Sequence, residues 1–144
     1  MNLRKMFEGR TPYFVRIDKN VSEVVKYMAE RNIGAVSIFT PDNQLAGIFS
    51  ERDVLKRVVA ADKNPNETKV TEVMTSKVYA ADSEENLDDC LKRMKLLNVR
   101  HLPVFKDGVQ YLGLVSLRDL LLVGLTHKDA EIQQLSSYIY NTPI

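Results

Sequence analysis

Serine and aspartate three residues apart, behind a glycine, can do two kinds of chemistry, and this chain carries the set twice. Gly47-Ile48-Phe49-Ser50-Glu51-Arg52-Asp53 returns 66 residues later as Gly113-Leu114-Val115-Ser116-Leu117-Arg118-Asp119. At a strand-to-helix junction the set is a scaffold. Glycine permits close backbone approach, serine caps the helix, and aspartate at capping-box spacing faces the positive helix end. The same groups can also bind. N–H groups at a helix start, with a hydroxyl, attract an anion. A nearby carboxylate accepts two hydrogen bonds from a vicinal diol. Together they suit a ribose carrying a phosphate. Arg52, Arg118, Arg100 and Lys77 would then supply phosphate charge, arginine as a bidentate fork. On these seven residues alone the cap and the ribose–phosphate site carry about equal weight.

The elements that position the motif repeat with it. Tyr13/Tyr79, Met28/Met94, Asn32/Asn98, Phe39/Phe105 and Gln44/Gln110 keep the same offset. A repeat of this length is one structural unit used twice. Two copies do not make a solenoid, so two units packed about a pseudo-two-fold axis are expected. Val21, Val24, Val25 and Met28 mark one helix face. Asn20 with Glu23, and Asn86 with Asp89, are spaced as capping boxes. Gly34 to Phe39 and Leu45 to Phe49 read as strands around Pro41-Asp42-Asn43. Arg100 to Phe105 and Tyr111 to Val115 flank Lys106-Asp107-Gly108, a hairpin signal. Pro103 predicts an edge or an interrupted ladder. Each unit therefore reads strand, helix, strand, strand, helix, an α/β (α+β) fold. Boundaries fall at 3–61 for unit one, 62–69 for a connector and 70–125 for unit two. Residues 126–144 form an expected amphipathic helix, with Ile132, Leu135, Tyr138 and Ile139 on one side.

Composition narrows the function. The chain has 144 residues, 44% of them hydrophobic and 27% charged, and a net charge of +1. That balance gives no global pull toward nucleic acid or acidic membrane, so neither is expected as a partner. No run approaches the ~18 apolar residues of a membrane span. Met1-Asn2-Leu3-Arg4-Lys5 offers no apolar stretch for a signal peptide. Cys90 is the only cysteine, which fits a reducing cytoplasm, and it falls on an apolar helix face as a small hydrophobe. There is no P-loop, no metal-ligand spacing and no nucleophile with a base, so no catalytic residues, no metal and no enzyme are expected. His101, at a strand entrance, is either a satisfied core residue or a phosphate contact. His127 is the only other histidine and no cysteine is near, which argues against a metal site.

The repeated Gly-apolar-apolar-Ser-x-x-Asp resembles the signature of the cystathionine-β-synthase-type (CBS) domain. Val73-Met74-Thr75 before unit two and Arg100-His101-Leu102-Pro103-Val104 within it are similar to the same family. The resemblance covers about residues 3 to 125 and implies a tandem pair, or Bateman module. Such a pair binds adenine nucleotides or related adenosyl ligands in two clefts between its units. Carried over by residue, the first site takes Ile48, Phe49, Ser50, Arg52 and Asp53 from unit one. Thr75, Val78, Ala80, Val99 and Arg100 close it from unit two. The second site takes Val115, Ser116, Arg118 and Asp119, with Arg100 and His101 toward phosphate. Its far wall is Pro12, Phe14, Ile33, Gly34 and Ala35. Unit one has no clean match to Thr75, and bulky Phe14 stands where unit two has Ala80, so the second site is expected to be the poorer one.

The implied function is a stand-alone regulatory module for an adenosyl ligand, AMP foremost, with ADP, ATP, S-adenosylmethionine and NAD offering the same ribose diol. The alternative is a dimeric interaction scaffold with vestigial clefts. A homodimer is expected in either case, from apolar faces around Met28, Val54, Met94 and Leu121. The regulated protein is not named by the sequence.

Overall fold

The computed structural model describes residues 1–125, so the helix expected at 126–144 lies outside the described residues. Unit one contains β1 (Phe14–Arg16), α1 (Val21–Arg31), β2 (Ala35–Phe39) and β3 (Leu45–Ser50). Its second helix, α2, opens over Glu51–Asp53 and widens into a π-helix over Val54–Val59. A short helix, α3 (Val70–Val73), precedes unit two, which contains β4 (Ala81–Asp82), α4 (Leu87–Leu97), β5 (His101–Lys106) and β6 (Gln110–Ser116). Residues 117–125 are helical and form α5. The two units form three-stranded sheets of matching order, β1-β2-β3 and β4-β5-β6. In each, the first pair is parallel and the second antiparallel.

Local chemistry explains these boundaries. Asn20 and Glu23 form a complete capping box on α1, while Asn86 makes the side-chain half of one on α4. Both helices end on an asparagine in the left-handed region, Asn32 at φ 52° and Asn98 at φ 54°. Asparagine tolerates that conformation as a C-cap, which gives the repeated Asn32/Asn98 a physical cause. Asp107 (φ 53°) and Gly108 (φ 69°) make the hairpin turn the sequence signalled. Pro103 lies on the middle strand, just before β4 begins to pair at Val104, so the parallel ladder is interrupted where proline cannot donate.

Each unit completes its core with a segment from across the molecule. Val70 and Val73 of α3 are buried in the unit-one core with Val24, Ile38 and Phe49. Leu3 and Met6, on a 3-10 turn over Leu3–Phe7, are buried in the unit-two core with Met94, Leu102 and Val115. The Leu3 N–H donates to the Glu85 carbonyl and the Arg4 N–H to that of Ser83. Residues 3–7, counted with unit one by sequence order, thus pack in unit two. Burying one such leucine contributes about 1.5–3 kcal/mol. Repeated glycines accept these segments. A Cβ on Gly47 would lie 2.6 Å from the Thr75 carbonyl oxygen, and one on Gly113 would lie 2.8 Å from the Phe7 ring.

Between the sheets, Tyr111 reaches across the units. Its hydroxyl lies 2.7 Å from Ser37 Oγ and its ring packs on Phe39 and Phe105. Burial pushes the Tyr111 phenol up to about 12 and the Cys90 thiol up to about 11, so both stay protonated near neutrality.

Candidate functional site

The two repeated motifs end β3 and β6 at the same edge of the molecule, and there they cap. Ser50 Oγ accepts from the Asp53 N–H at 3.3 Å, while Asp53 Oδ2 accepts from the Ser50 N–H at 2.9 Å and from its hydroxyl at 3.1 Å. Ser116 Oγ accepts from the Asp119 N–H at 2.9 Å, and Asp119 Oδ2 from the Ser116 N–H at 3.2 Å. The next amide is used as well. Glu51 N–H donates to the Gly34 carbonyl and Leu117 N–H to that of Arg100. The helix starts therefore spend most of their N–H groups internally, and charge for an anion must come from side chains.

Those side chains converge. One continuous cleft of about 1390 Å³ runs between the units past both junctions. Of the first expected site it is lined by Ile48, Ser50, Arg52 and Asp53, with Thr75, Val78, Val99 and Arg100 opposite. Of the second it is lined by Ser116, Arg118, Asp119 and His101, facing Pro12, Ile33, Gly34 and Ala35. Thr75 is fixed to the wall by a backbone pair with Ile48, 2.9 Å in each direction. Seven basic residues line the cleft (Arg10, Arg52, Lys56, Arg57, Lys77, Arg100, Arg118) against three acidic ones, Glu51, Asp53 and Asp119. In a chain of net charge +1 this is a local concentration of positive charge.

Four expected residues do not line the cleft. Phe49 and Val115 are fully buried, because strand alternation turns the residue before each serine into the core. Ala80 is exposed, and its carbonyl accepts from Arg93 Nη2 at 2.8 Å. Phe14 packs edge-on against Phe39 and under the Arg16 guanidinium. It is held by the aromatic cluster and leaves the second half of the cleft open, contrary to the expected obstruction.

His101 sits in the cleft wall, half-buried. Burial lowers its pKa below the usual 6.5, aided by Arg100 and opposed by Asp119, Glu51 and Asp53. At neutral pH it is an uncharged imidazole, a hydrogen-bonding group and not a phosphate counter-charge. The described residues contain no cluster of metal-ligating side chains.

Several lining residues escaped the sequence reading, among them Tyr13, Tyr79 and Arg57. Tyr13 and Tyr79 face the cleft from the two units, and their shared offset was the signal that could have marked them as a pair. Arg57 also lines it, but its counterpart is Val123, so the repeat concealed it.

Comparison with known proteins identifies the family and the fold. A family profile described as "CBS domain" matches residues 9–60 and 70–125. The chain is 32% identical over 126 residues to the mitochondrial CBS domain-containing protein CBSX3 of Arabidopsis thaliana, covering 85% of this chain and 61% of that protein. It spans about half to two thirds of the length of the first curated relatives it matches. Its fold is similar to a putative signal-transduction protein with CBS domains from Burkholderia ambifaria, with a TM-score of 0.80 and 30% identity over 88% of this chain and 95% of that one. The CBS domain pair of protein MJ0100, solved with 5′-methylthioadenosine and S-adenosyl-L-methionine, shares the fold at a TM-score of 0.78 and 22% identity, covering 88% and 98% of the two chains.

Proposed function

The chain belongs to the CBS-domain family, and from that premise we propose that it is a regulatory module binding a phosphate-bearing adenosyl ligand between its units. One observation carries the reading. Asp53 and Asp119, the two repeated carboxylates, line one cleft in which basic side chains outnumber acidic ones by seven to three. Each carboxylate is a candidate acceptor for a ribose diol, while Arg52, Arg100, Arg118 and Lys77 supply phosphate charge. The fold shared with MJ0100 accommodates adenosyl compounds in that protein. Here the positive lining favours AMP, ADP or ATP over a cationic sulfonium. Val78, Val99 and Ile48 offer an apolar slot for the purine, and the paired Tyr13 and Tyr79 offer aromatic faces.

Calorimetry with AMP tests this. Asp119→Ala and Asp53→Ala should each weaken one site more than tenfold, since a hydrogen bond to a charged group contributes roughly 1.5–3 kcal/mol. Were the aspartates caps alone, each change would cost about 0.5–2 kcal/mol of stability and leave affinity intact. Unchanged affinity in both variants sinks the reading.

We further propose that the module is a homodimer. Met28 and Met94, expected to serve that interface, are instead buried within their own units. Among the exposed apolar residues, Leu55 and Val59 on α2 and, at the same repeat offset, Leu121 and Leu125 on α5 form matching sets. A two-fold pairing of these helices would cover both sets. Light scattering at micromolar concentration should give twice the chain mass, and a monomer mass would refute it.

A further inference from the structure

We infer that Arg57 is a positioning residue that latches the first carboxylate to residues 73–75 at the end of α3, the linker that leads into β4, so that the two halves of the cleft differ and only one reports to that linker. The inference rests on the reading of Asp53 and Asp119 as ribose ligands.

The geometry begins in α2. Its π-helical turn, closed by Ala60 N–H on the Leu55 carbonyl, carries Arg57 over the motif that precedes it. Arg57 Nε lies 3.5 Å from Asp53 Oδ1. Its Nη1 donates to the Met74 carbonyl at 2.8 Å and, more weakly, to that of Val73 at 3.4 Å. One guanidinium thus joins the motif carboxylate to the end of α3. That end is not a loose tether, since Val73 is in the unit-one core and Thr75 pairs with Ile48.

Asp53 is therefore heavily used. Oδ2 takes the Ser50 N–H and hydroxyl, and Oδ1 faces Arg57. A carboxylate has about four acceptor positions, and a diol needs two. A ribose arriving at Asp53 must displace one present partner, and the guanidinium holds the oxygen that the cap leaves available. Asp119 is different. Only its Oδ2 is engaged, by the Ser116 N–H, and Val123 stands at the repeat position of Arg57. Among the described residues no hydrogen bond or ion pair holds Asp119 Oδ1. The second half of the cleft should fill first, the reverse of the order the sequence suggested. Filling the first half draws Arg57 off Asp53 and loosens its hold on the linker carbonyls.

The test combines calorimetry with AMP and amide exchange of the ligand-free protein. Wild type should show two affinities, the tighter lost in Asp119→Ala and the weaker in Asp53→Ala. Arg57→Met should strengthen the weaker site roughly two- to fivefold, the scale of a half-exposed ion pair, and leave the tighter one alone. It should also speed exchange of the Thr75 amide before any nucleotide is added. Arg57→Lys keeps a charge for Asp53 but lacks the fork, so it should retain the weak affinity while the Thr75 amide exchanges faster. An Arg57→Met protein whose first site is unchanged or weaker overturns the latch, as does unaltered Thr75 exchange in both variants. Wild type that binds no AMP overturns the ribose reading and the inequivalence with it, whereas the exchange result judges the link to the linker by itself.

Discussion

His101 is the only histidine among the described residues that line the cleft, and histidine is the side chain whose ordinary pKa lies nearest neutrality. Its pKa is lowered by burial, so the unfolded chain takes up the proton first. The sign follows from linkage. Stability is full above the unfolded value of 6.5 and falls as pH drops through it toward the folded value. Thermal melts from pH 7.5 down to about 5.5 should show a loss that His101→Gln reduces. Equal pH dependence in the two proteins would assign the loss to other groups. The same titration bears on ligand. In the folded protein His101 takes up its proton, and with it a positive charge, only as pH falls through its own lowered value, so phosphate-dependent affinity should rise below the pH at which stability begins to fall.

At the scale of elements, the exchanged segments carry stability that their place in the chain conceals. Leu3 is fully buried in the core of unit two. Leu3→Ala should cost about 2–5 kcal/mol, as for other buried leucines. An exposed amino-terminal residue would cost almost nothing, so denaturant unfolding separates the two. Gly47 is constrained from the other direction. A Cβ there meets the Thr75 carbonyl at 2.6 Å and Met74 Sδ at 2.7 Å, and the carbonyl belongs to backbone that is itself paired. Gly47→Ala should cost about 1–3 kcal/mol and displace Thr75 from the cleft wall, weakening the first half of the site. A stable Gly47→Ala protein with normal affinity would show that the linker can retreat without consequence.

Across the whole molecule, besides the exchanged segments, a small polar and aromatic contact joins the two sheets. Tyr111 donates toward Ser37, which is fully buried. Tyr111→Phe keeps the ring against Phe39 and Phe105 but strands the serine hydroxyl. The expected cost is about 1–3 kcal/mol, read as a lower denaturation midpoint. Because the cleft lies between the units, the same change should weaken both halves of the ligand site together. A loss confined to one half would place the coupling elsewhere. Among the described residues no helix is long and apolar enough to cross a membrane, in keeping with the dispersed hydropathy of the chain.

The duplicated motif, the element order, the caps at Asn20 and Ser50 and the turn at Asp107-Gly108 were all legible in the sequence, because each depends on neighbours within a few residues. Period-two alternation in principle also placed Phe49 and Val115 in the core, although the family pattern drew them into the expected site. Other features were decided by contacts between distant residues. Leu3 and Val70 lie beside their own units in sequence and inside the opposite ones in space, and local periodicity has no term for such an exchange. Phe14 left the cleft for Phe39 and Arg16, partners that only the folded sheet brings within reach. Arg57 had no repeat counterpart to mark it, and its role exists only where α2 meets the end of α3. A repeat registers what two units share. The chemistry by which the halves of this cleft differ arises where the copies diverge, and only the tertiary structure brings those residues together.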